Sequence, residues 1–394
     1  MKKAVLDSLF ARIKHGGLSV IYWDGEEVNY GTDVPKAKVI IHRPPAFTLD
    51  DPVLAIGEAY MDEIIDFEGS LEELFRVVEL NKESLLGNSL SSLAASAVKT
   101  INNAAAKLKQ KENIRHHYDL GNDFFSLWLD ETMSYSCGYF KTLHDSLNQA
   151  QIQKIDHTLK KLLLHPGERL LDIGSGWGWL IIRAAQQYGV NALGITLSEE
   201  QYKATKQRIN DLGLSKKVDV MLLDYLDLDD NPNFDKIVSV GMFEHVGKEN
   251  LPKYMKKVYS LLKHGGLSLL HTITGKKEGA VNSWMKKYIF PGGYIPSVRE
   301  IIWLLPEYDF HLIHTESLRM HYAMTLDKWH ENFSKHINLV EEKFGKRFVR
   351  MWRLYLLGCA ASFRSTGLNI HQFLFSKGLN NELPLTLDHI YAVE

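Results

Sequence analysis

The chain has 394 residues, 46 basic against 48 acidic side chains for a net charge of −2, and 45% hydrophobic residues, a globular composition with room for two or three domains. Disorder, collagen-like repeats and coiled coil are excluded for the chain as a whole, and no run approaches the ~18–20 uncharged apolar residues of a spanning helix. Two cysteines without CxxC spacing, Cys137 and Cys359, support neither a disulfide framework nor a zinc site, and a slightly acidic balance without a reader motif argues against nucleic acid.

The N-terminus opens on Lys2 and Lys3, but Asp7, Arg12 and Lys14 interrupt any apolar core, so no secretory signal is evident and a cytoplasmic location is expected. Residues 1–81 carry eight basic and fifteen acidic side chains, net −7, leaving 38 basic and 33 acidic, net +5, for the rest. That asymmetry predicts a small acidic N-terminal domain over 1–81, a linker over 82–112, and a catalytic domain over 113–394. Within 1–81 a helix is expected from Val5 to Lys14. Strands follow at Leu18–Trp23, Glu26–Tyr30 and Lys38–His42 with a turn at Asp24-Gly25, and helices at Pro52–Tyr60 and Ser70–Leu80, the last capped by Ser70 with Glu73 completing a capping box. In the linker, Leu93, Ala97, Ile101, Ala104 and Leu108 recur at helical spacing beside Lys99, Lys107, Lys109 and Lys111. That segment reads either as a solvated connecting helix or as a basic amphipathic helix touching anionic lipid.

From about residue 155 strands alternate with helices. Strands are expected at Arg169–Ile173, Ala192–Thr196, Val218–Leu222, Lys236–Val240 and Leu267–Thr272, with helices at Trp179–Tyr188, Glu199–Leu212 and Pro252–Leu262. This spacing implies an α/β fold with a doubly wound, Rossmann-like parallel sheet. His311 and His314, an odd interval apart, would point to opposite faces of a strand and so do not read as a metal pair; no metal is expected.

Asp172-Ile173-Gly174-Ser175-Gly176-Trp177-Gly178 follows a strand and opens a helix. Without Cβ atoms the glycines let the backbone approach a ligand at the strand's carboxyl end. The spacing is GxGxG with Asp172 before it, Trp179 stands where a dinucleotide fold has its third glycine, and no GK[ST] marks a P-loop. The pattern resembles S-adenosylmethionine-dependent methyltransferases of the class I type. Where many such enzymes end the second strand on an acidic residue that binds ribose, this chain has Thr196, followed by Leu197. Gln201, one turn into the next helix, either contacts the ligand or completes a capping box with Ser198. Asp224 and Tyr225 follow the third strand and read as adenine contacts or as a plain turn.

The resemblance narrows over separated motifs in consistent order. Asn113–Phe125, Met133–Phe140, Thr196–Ser198, Gly241–Gly247, Tyr288–Gly293 and His321–Leu326 resemble cyclopropane-fatty-acyl-phospholipid synthases. The acidic N-terminal unit is similar to that of the phospholipid-acting bacterial members. The resemblance implies S-adenosylmethionine, held by Tyr135, Ser136, Asp172, Gly174, Gly176, Thr196, Leu197, Gln201, Asp224 and Tyr225. It also implies a bound bicarbonate as base, held by the side chains of Glu244, His271 and Tyr322 and by backbone at Cys137 and Val240. A phospholipid membrane surface as partner, a peripheral location and a homodimer belong to the same expectation.

The chemistry is consistent with those residue types. An isolated cis double bond is a poor nucleophile, so holding it against the electrophilic methyl is most of the task. Methyl transfer leaves a carbocation on the acyl chain, which closes to a ring if a base removes a proton from the new methyl and becomes an alcohol if water arrives first. Glu244 beside an anion requires a shared proton. Aromatic rings face such a cation favourably, and Tyr139, Phe243, Tyr288, Phe290, Tyr294 and Tyr322 are candidates. Lys276, Lys277, Lys286, Lys287 and Arg299 either attract anionic headgroups or form a solvated face. The rival readings are a lipid C-methyltransferase making methyl-branched or hydroxylated chains, a small-molecule methyltransferase, and a non-catalytic lipid-binding protein.

Overall fold

The computed structural model describes residues 2–46, 50–86, 120–231 and 233–391. The helix expected in the linker beyond residue 86 and the Asn113–Asp119 part of the first motif lie outside the described residues. Two compact units result, and neither is contiguous. One comprises 1–102, 280–291 and 326–368; the other 103–279, 292–325 and 369–394. The charge-based boundaries at 81 and 112 therefore differ from the observed partition, because two later segments pack with the N-terminal residues.

In the first unit, α1 (Lys3–Phe10) ends earlier than its apolar pattern, which runs on to Ile13. The strands β1 (Gly17–Ile21), β2 (Glu27–Gly31), β3 (Ala37–Ile41) and β4 (Ile65–Gly69) form a sheet in the order β2-β1-β3-β4. The β1–β2 hairpin turns at Gly25, whose φ of 87° only glycine adopts without strain. Strand β4, between α2 (Pro52–Met61) and α3 (Leu71–Leu80), is absent from the sequence-based reading. Its five residues are short and acidic, and pairing with β3 supplies what local propensity does not. Ser70 caps α3 by accepting from Glu73 N at 3.1 Å, but Glu73's carboxylate turns to Arg76 instead, so the capping box is only half made.

The acidity of this segment has a partner inside the same unit. Five of its carboxylates face cations from the later segments: Glu58–Lys287 at 2.5 Å, Asp62–Arg347 at 2.7 Å, Glu63–Lys346 at 2.5 Å, Asp66–Arg350 at 2.6 Å and Glu72–Arg364 at 3.7 Å. Four of those cations lie on one helix, Lys346–Ser365. Most of these pairs are exposed and each contributes little. Arg350 is different: largely buried, it donates to the carbonyls of Tyr60 and Ile65 and stacks 4.0 Å from the Tyr60 ring centroid.

The second unit carries α4 (Leu147–Lys161), β5 (Arg169–Ile173), α5 (Trp179–Tyr188), β6 (Asn191–Thr196), α6 (Glu199–Asp211), β7 (Val218–Leu222), β8 (Phe234–Val240), α7 (Leu251–Leu261), β9 (Leu262–Thr274), β10 (Phe310–Ser317) and β11 (Asn369–Lys377). The seven-stranded sheet runs β10-β11-β9-β8-β5-β6-β7. Strands β5 to β9 pair in parallel, as their apolar runs predict, and β11 lies antiparallel between β9 and β10. Apolar side chains on both faces build two cores, one under α4 and α5 and one under α7. This is the class I methyltransferase architecture. The order reverses at β5, which opens a crevice beyond the carboxyl ends of β5 and β8. In β10 the register shifts between Leu312 and His314, so the parity argument separating His311 from His314 fails; His314 Nε2 meets Tyr391 Oη at 3.2 Å.

Truncating Arg350 strands two carbonyls and a carboxylate. Arg350→Ala is expected to cost about 2–4 kcal/mol, since each charge-assisted bond contributes about 1.5–3 kcal/mol and the three are not additive. Arg350→Lys recovers only part, because an ammonium lacks the planar fork. Chemical denaturation of both variants checks this, and a loss below about 0.5 kcal/mol for the alanine variant refutes it.

Candidate active site

At the β5 switch point the chain folds around an open cleft of about 1150 Å³, a volume that includes solvent space in front of it. All ten residues expected to hold a nucleotide-type cofactor line it: Tyr135, Ser136, Asp172, Gly174, Gly176, Thr196, Leu197, Gln201, Asp224 and Tyr225. Local chemistry shapes each wall. Gly174 and Gly178 adopt φ of 85° and 82°, and a Cβ on Gly178 would lie 2.3 Å from Thr205 Cγ2. The third glycine therefore serves helix packing in addition to the turn, whereas the sequence-based reading assigned the glycines to ligand approach alone. The Thr196 hydroxyl donates to Gln201 Oε1 at 2.7 Å and accepts from Ser198 N at 3.1 Å, while Ser198 Oγ accepts from Gln201 N. Gln201 thus does not close a capping box; its oxygen is held by Thr196, leaving its amide nitrogen as the donor for a ligand. Asp224 accepts from Leu226 N at 3.0 Å, so the turn role is real, and it also lines the cleft.

Several lining residues escaped the sequence. Asp130 organises the loop beneath the cleft by accepting from the Thr132 amide and hydroxyl and from Ser134 N. Lys154 reaches in from α4, buried, with Nζ 3.1 Å from Ser136 Oγ. Burial pushes its ammonium pKa down, opposed chiefly by the Asp130 carboxylate. The available signal was a heptad-spaced polar stripe, Gln151, Lys154, Thr158 and Lys161, on a helix whose Ile155, Leu159 and Leu162 are core; all seven side chains are buried.

The five residues expected at a base-binding centre fall into two groups. Val240 lines the cleft and pairs in register with His271 on β9, while Gly241 N donates to His271 O at 2.9 Å. Glu244, in the turn after β8, accepts from Ile273 N at 2.6 Å, which sets its carboxylate beside the same strand. Glu244 Oε2 and His271 Nε2 are both buried without a hydrogen-bond partner among the described residues. Burial pushes the Glu244 carboxyl up, against the hydrogen bond from Ile273 N, and pushes His271 well below its ordinary range, so the imidazole is neutral. Cys137 and Tyr322 belong to the second group. The Cys137 thiol contacts the Leu318 carbonyl, Gly138 N donates to Thr325 Oγ1 at 2.9 Å, and Phe140 N donates to His321 Nδ1 at 3.0 Å. These bonds staple the loop to the start of the helix Arg319–Ser334, which carries Tyr322. Burial pushes the thiol up, so no thiolate is available.

The other aromatic candidates mostly have structural partners. Phe243 is core against Tyr254, Tyr294 donates to Glu300, and Phe290 packs edge-on against Tyr355. Tyr288 donates to Glu58 and its ring lies against Lys287 and Arg347, in the first unit. Tyr139 stacks between His157 and His321. Of the basic cluster, Lys287 and Arg299 are paired with Glu58 and Glu278.

Comparison with known proteins decides the family. The mycolic acid cyclopropane synthetase family matches residues 105–373, and a domain of unknown function (DUF7884) matches 5–90. The chain belongs to the cyclopropane synthetase family. It is a methyltransferase that uses S-adenosylmethionine. It is 37% identical over 389 residues to a probable fatty acid methyltransferase of Pseudomonas putida, covering 96% of this chain and 97% of that one. A cyclopropane-fatty-acyl-phospholipid synthase of Escherichia coli is 38% identical over 351 residues, covering 88% and 90%. Among solved structures, the cyclopropane synthase MmaA2 of Mycobacterium tuberculosis superposes with TM-score 0.64 at 34% identity, covering 68% of this chain and 98% of that one. The mycolic acid cyclopropane synthase CmaA1, complexed with SAH and CTAB, gives TM-score 0.64 at 35% identity over the same shares.

The donor set of this family member fits S-adenosylmethionine on its own terms. Asp172 Oδ1 is buried at the cleft wall without a partner among the described residues, and burial pushes its carboxyl up to about 7 despite Lys154 nearby. A raised carboxyl stabilises the unliganded fold at low pH, and that contribution is lost as pH rises through 7. A cationic amino group placed on Oδ1 reverses the preference and expels the proton. S-adenosylmethionine should therefore bind about tenfold more tightly at pH 8 than at pH 6, with proton release, and Asp172→Asn should flatten the profile. Calorimetry in buffers of different ionisation enthalpy measures both; a flat wild-type profile overturns the assignment.

Proposed function

We propose that this methyltransferase acts on cis-unsaturated acyl chains of phospholipids and closes a cyclopropane ring. The observation that carries the reading is the pair of buried, partnerless polar atoms, Glu244 Oε2 and His271 Nε2, beside the methyl-donor cleft. A neutral imidazole offers an N–H to a small oxyanion, and a carboxyl pushed up by burial can share a proton with it. Bicarbonate, when bound there, would supply a base for the methyl proton.

The protein's own contributions are positional and dielectric. Asp172, Gln201, Asp224 and the glycine turn orient the donor; Tyr135, packed against Phe125 and Trp128, walls the cleft. Val240 and His271, adjacent across β8 and β9, connect that cleft to the anion-holding pair. Tyr322, on the helix stapled to the Cys137 loop, is assigned as the third anion ligand, with the Cys137 and Val240 backbone beside it. The identity to relatives named cyclopropane-fatty-acyl-phospholipid synthase and probable fatty acid methyltransferase supports an acyl-lipid acceptor. Among the described residues no helix is long and apolar enough to cross a membrane. Access to the lipid from the membrane surface, by a protein peripheral on the cytoplasmic face, belongs to the proposal. A homodimer, and a supporting role for residues 1–81 together with 280–291 and 326–368, complete the proposal.

The second reading, methyl branching without ring closure, is favoured by the similarity to the fatty acid methyltransferase and uses the same cleft. Incubation with methyl-labelled donor and vesicles of cis-monounsaturated phospholipid separates the two. A ring product gains one CH2 and resists mild hydrogenation; a methyl-branched alkene takes up hydrogen; a hydroxylated product gains water besides. Glu244→Gln should lower turnover at least about a hundredfold while S-adenosylmethionine affinity stays within about twofold. Wild-type turnover should fall in carbonate-free buffer and return on adding bicarbonate. A Glu244→Gln variant that mainly loses donor affinity sinks the proposed role of Glu244, and a branched product sinks the ring.

A further inference from the structure

Behind His271 lies a line of buried polar side chains that the reaction as proposed does not use. Strand β11 pairs antiparallel with β9 and sets Gln372 opposite His271. From α4, Lys161 Nζ donates to Gln372 Oε1 at 2.7 Å and to the Glu316 carboxylate on β10. Gln372 Nε2 lies 3.2 Å from Thr158 Oγ1 and 3.2 Å from His271 Nδ1. The Thr158 hydroxyl spends its proton on Lys154 O at 2.8 Å, so it accepts from Gln372. Lys161, Thr158, Gln372 and His271 are all fully buried.

The donor inventory leaves one consistent arrangement. An ammonium has protons and no lone pair, so the atom of Gln372 facing Lys161 is the amide oxygen. The amide nitrogen therefore faces His271, and it too has only protons to offer. Nδ1 must accept, which puts the proton of the neutral ring on Nε2, the atom without a partner in the fold. We infer that Gln372 is a positioning residue that makes His271 a one-way hydrogen-bond donor through Nε2, and that the Lys161–Glu316 pair fixes Gln372 in the orientation this requires.

Two consequences follow from the geometry. His271, its lone pair taken by Gln372, has no atom left to receive a proton, so it holds an anion and is not itself the base. The buried cation is paired with Glu316, which His157 Nε2 also meets at 2.6 Å; the charge of Lys161 pushes the imidazole down and Glu316 opposes it, so the ring stays neutral. The meaning of the Nε2 proton for turnover rests on the anion site proposed above; the tautomer itself does not.

Long-range proton–nitrogen spectra of 15N-histidine-labelled full-length protein, with His271→Asn as the assignment control, read the tautomer without lipid or turnover. Wild type should show His271 as Nε2–H. Gln372→Glu places an acceptor oxygen against Nδ1 and should convert the ring to an Nδ1–H form, with turnover lowered about 10- to 100-fold and S-adenosylmethionine affinity within about twofold. Lys161→Met, which frees the amide to turn, should give mixed tautomers. Nδ1–H in wild type, or an unchanged ring signature in a folded Gln372→Glu, overturns the inference; should that variant not fold, the wild-type signature decides alone. Failure of the bicarbonate reading appears separately, as a wild-type rate indifferent to carbonate.

Discussion

Two lysines buried on one helix organise this active site. Lys154 and Lys161 occupy the inner face of α4, where an unanswered ammonium would cost several kcal/mol. Each must be met by oxygen. Lys154 is met by Ser136 within reach of the Asp130 and Asp172 charges, and so ties the cofactor loop to the glycine strand. Lys161 is met by Glu316 and Gln372, and so ties β10 and β11 to the back of His271. The same stripe adds Gln151, donating to Ser136 O at 2.8 Å, and Thr158. One helix face therefore sets the geometry of both the methyl-donor cleft and the anion-holding pair.

The demand of the chemistry agrees with that construction. An alkene offers little nucleophilicity, so the protein gains most by fixing distance and excluding water, and loses most by presenting a side chain that competes for the cation. Burial works against charge on the titratable groups near the centre: the Cys137 thiol and the Glu244 carboxyl are pushed up and His271 is pushed down. Charge is concentrated behind the site, in the Lys161–Glu316–His157 group, where Glu316 is held down to about 2 by His157 and Lys161.

Charge also explains the N-terminal segment differently from composition alone. Its net negative balance suggested a surface of its own, yet much of it is complementary to the basic helix Lys346–Ser365 within the same compact unit. Composition reports how many charges a segment carries, not where their partners come from, and here the partners lie almost 300 residues later.

Much of the architecture was legible because it is local. The parallel strands β5 to β9 are short apolar runs between amphipathic helices, and the glycine turn states its backbone conformation in its residue types. Strands β4, β10 and β11 were not legible. Five acidic-apolar residues and two late strands acquire their identity only from the neighbours they pair with. Eight of the ten cofactor-cleft residues, all but Tyr135 and Ser136, lie at or just beyond strand ends, where position in sequence nearly dictates position in space. Lys154 and Gln372 do not, since a lysine in a helix and a glutamine in a strand read as surface until tertiary packing buries them. Sequence by itself determined the fold class, the glycine turn and the chemical types available to the site. Tertiary structure alone decided which buried polar groups meet, because hydrogen-bond partners separated by 100 to 200 residues are selected by sheet register and helix face, and neither is written in any local pattern.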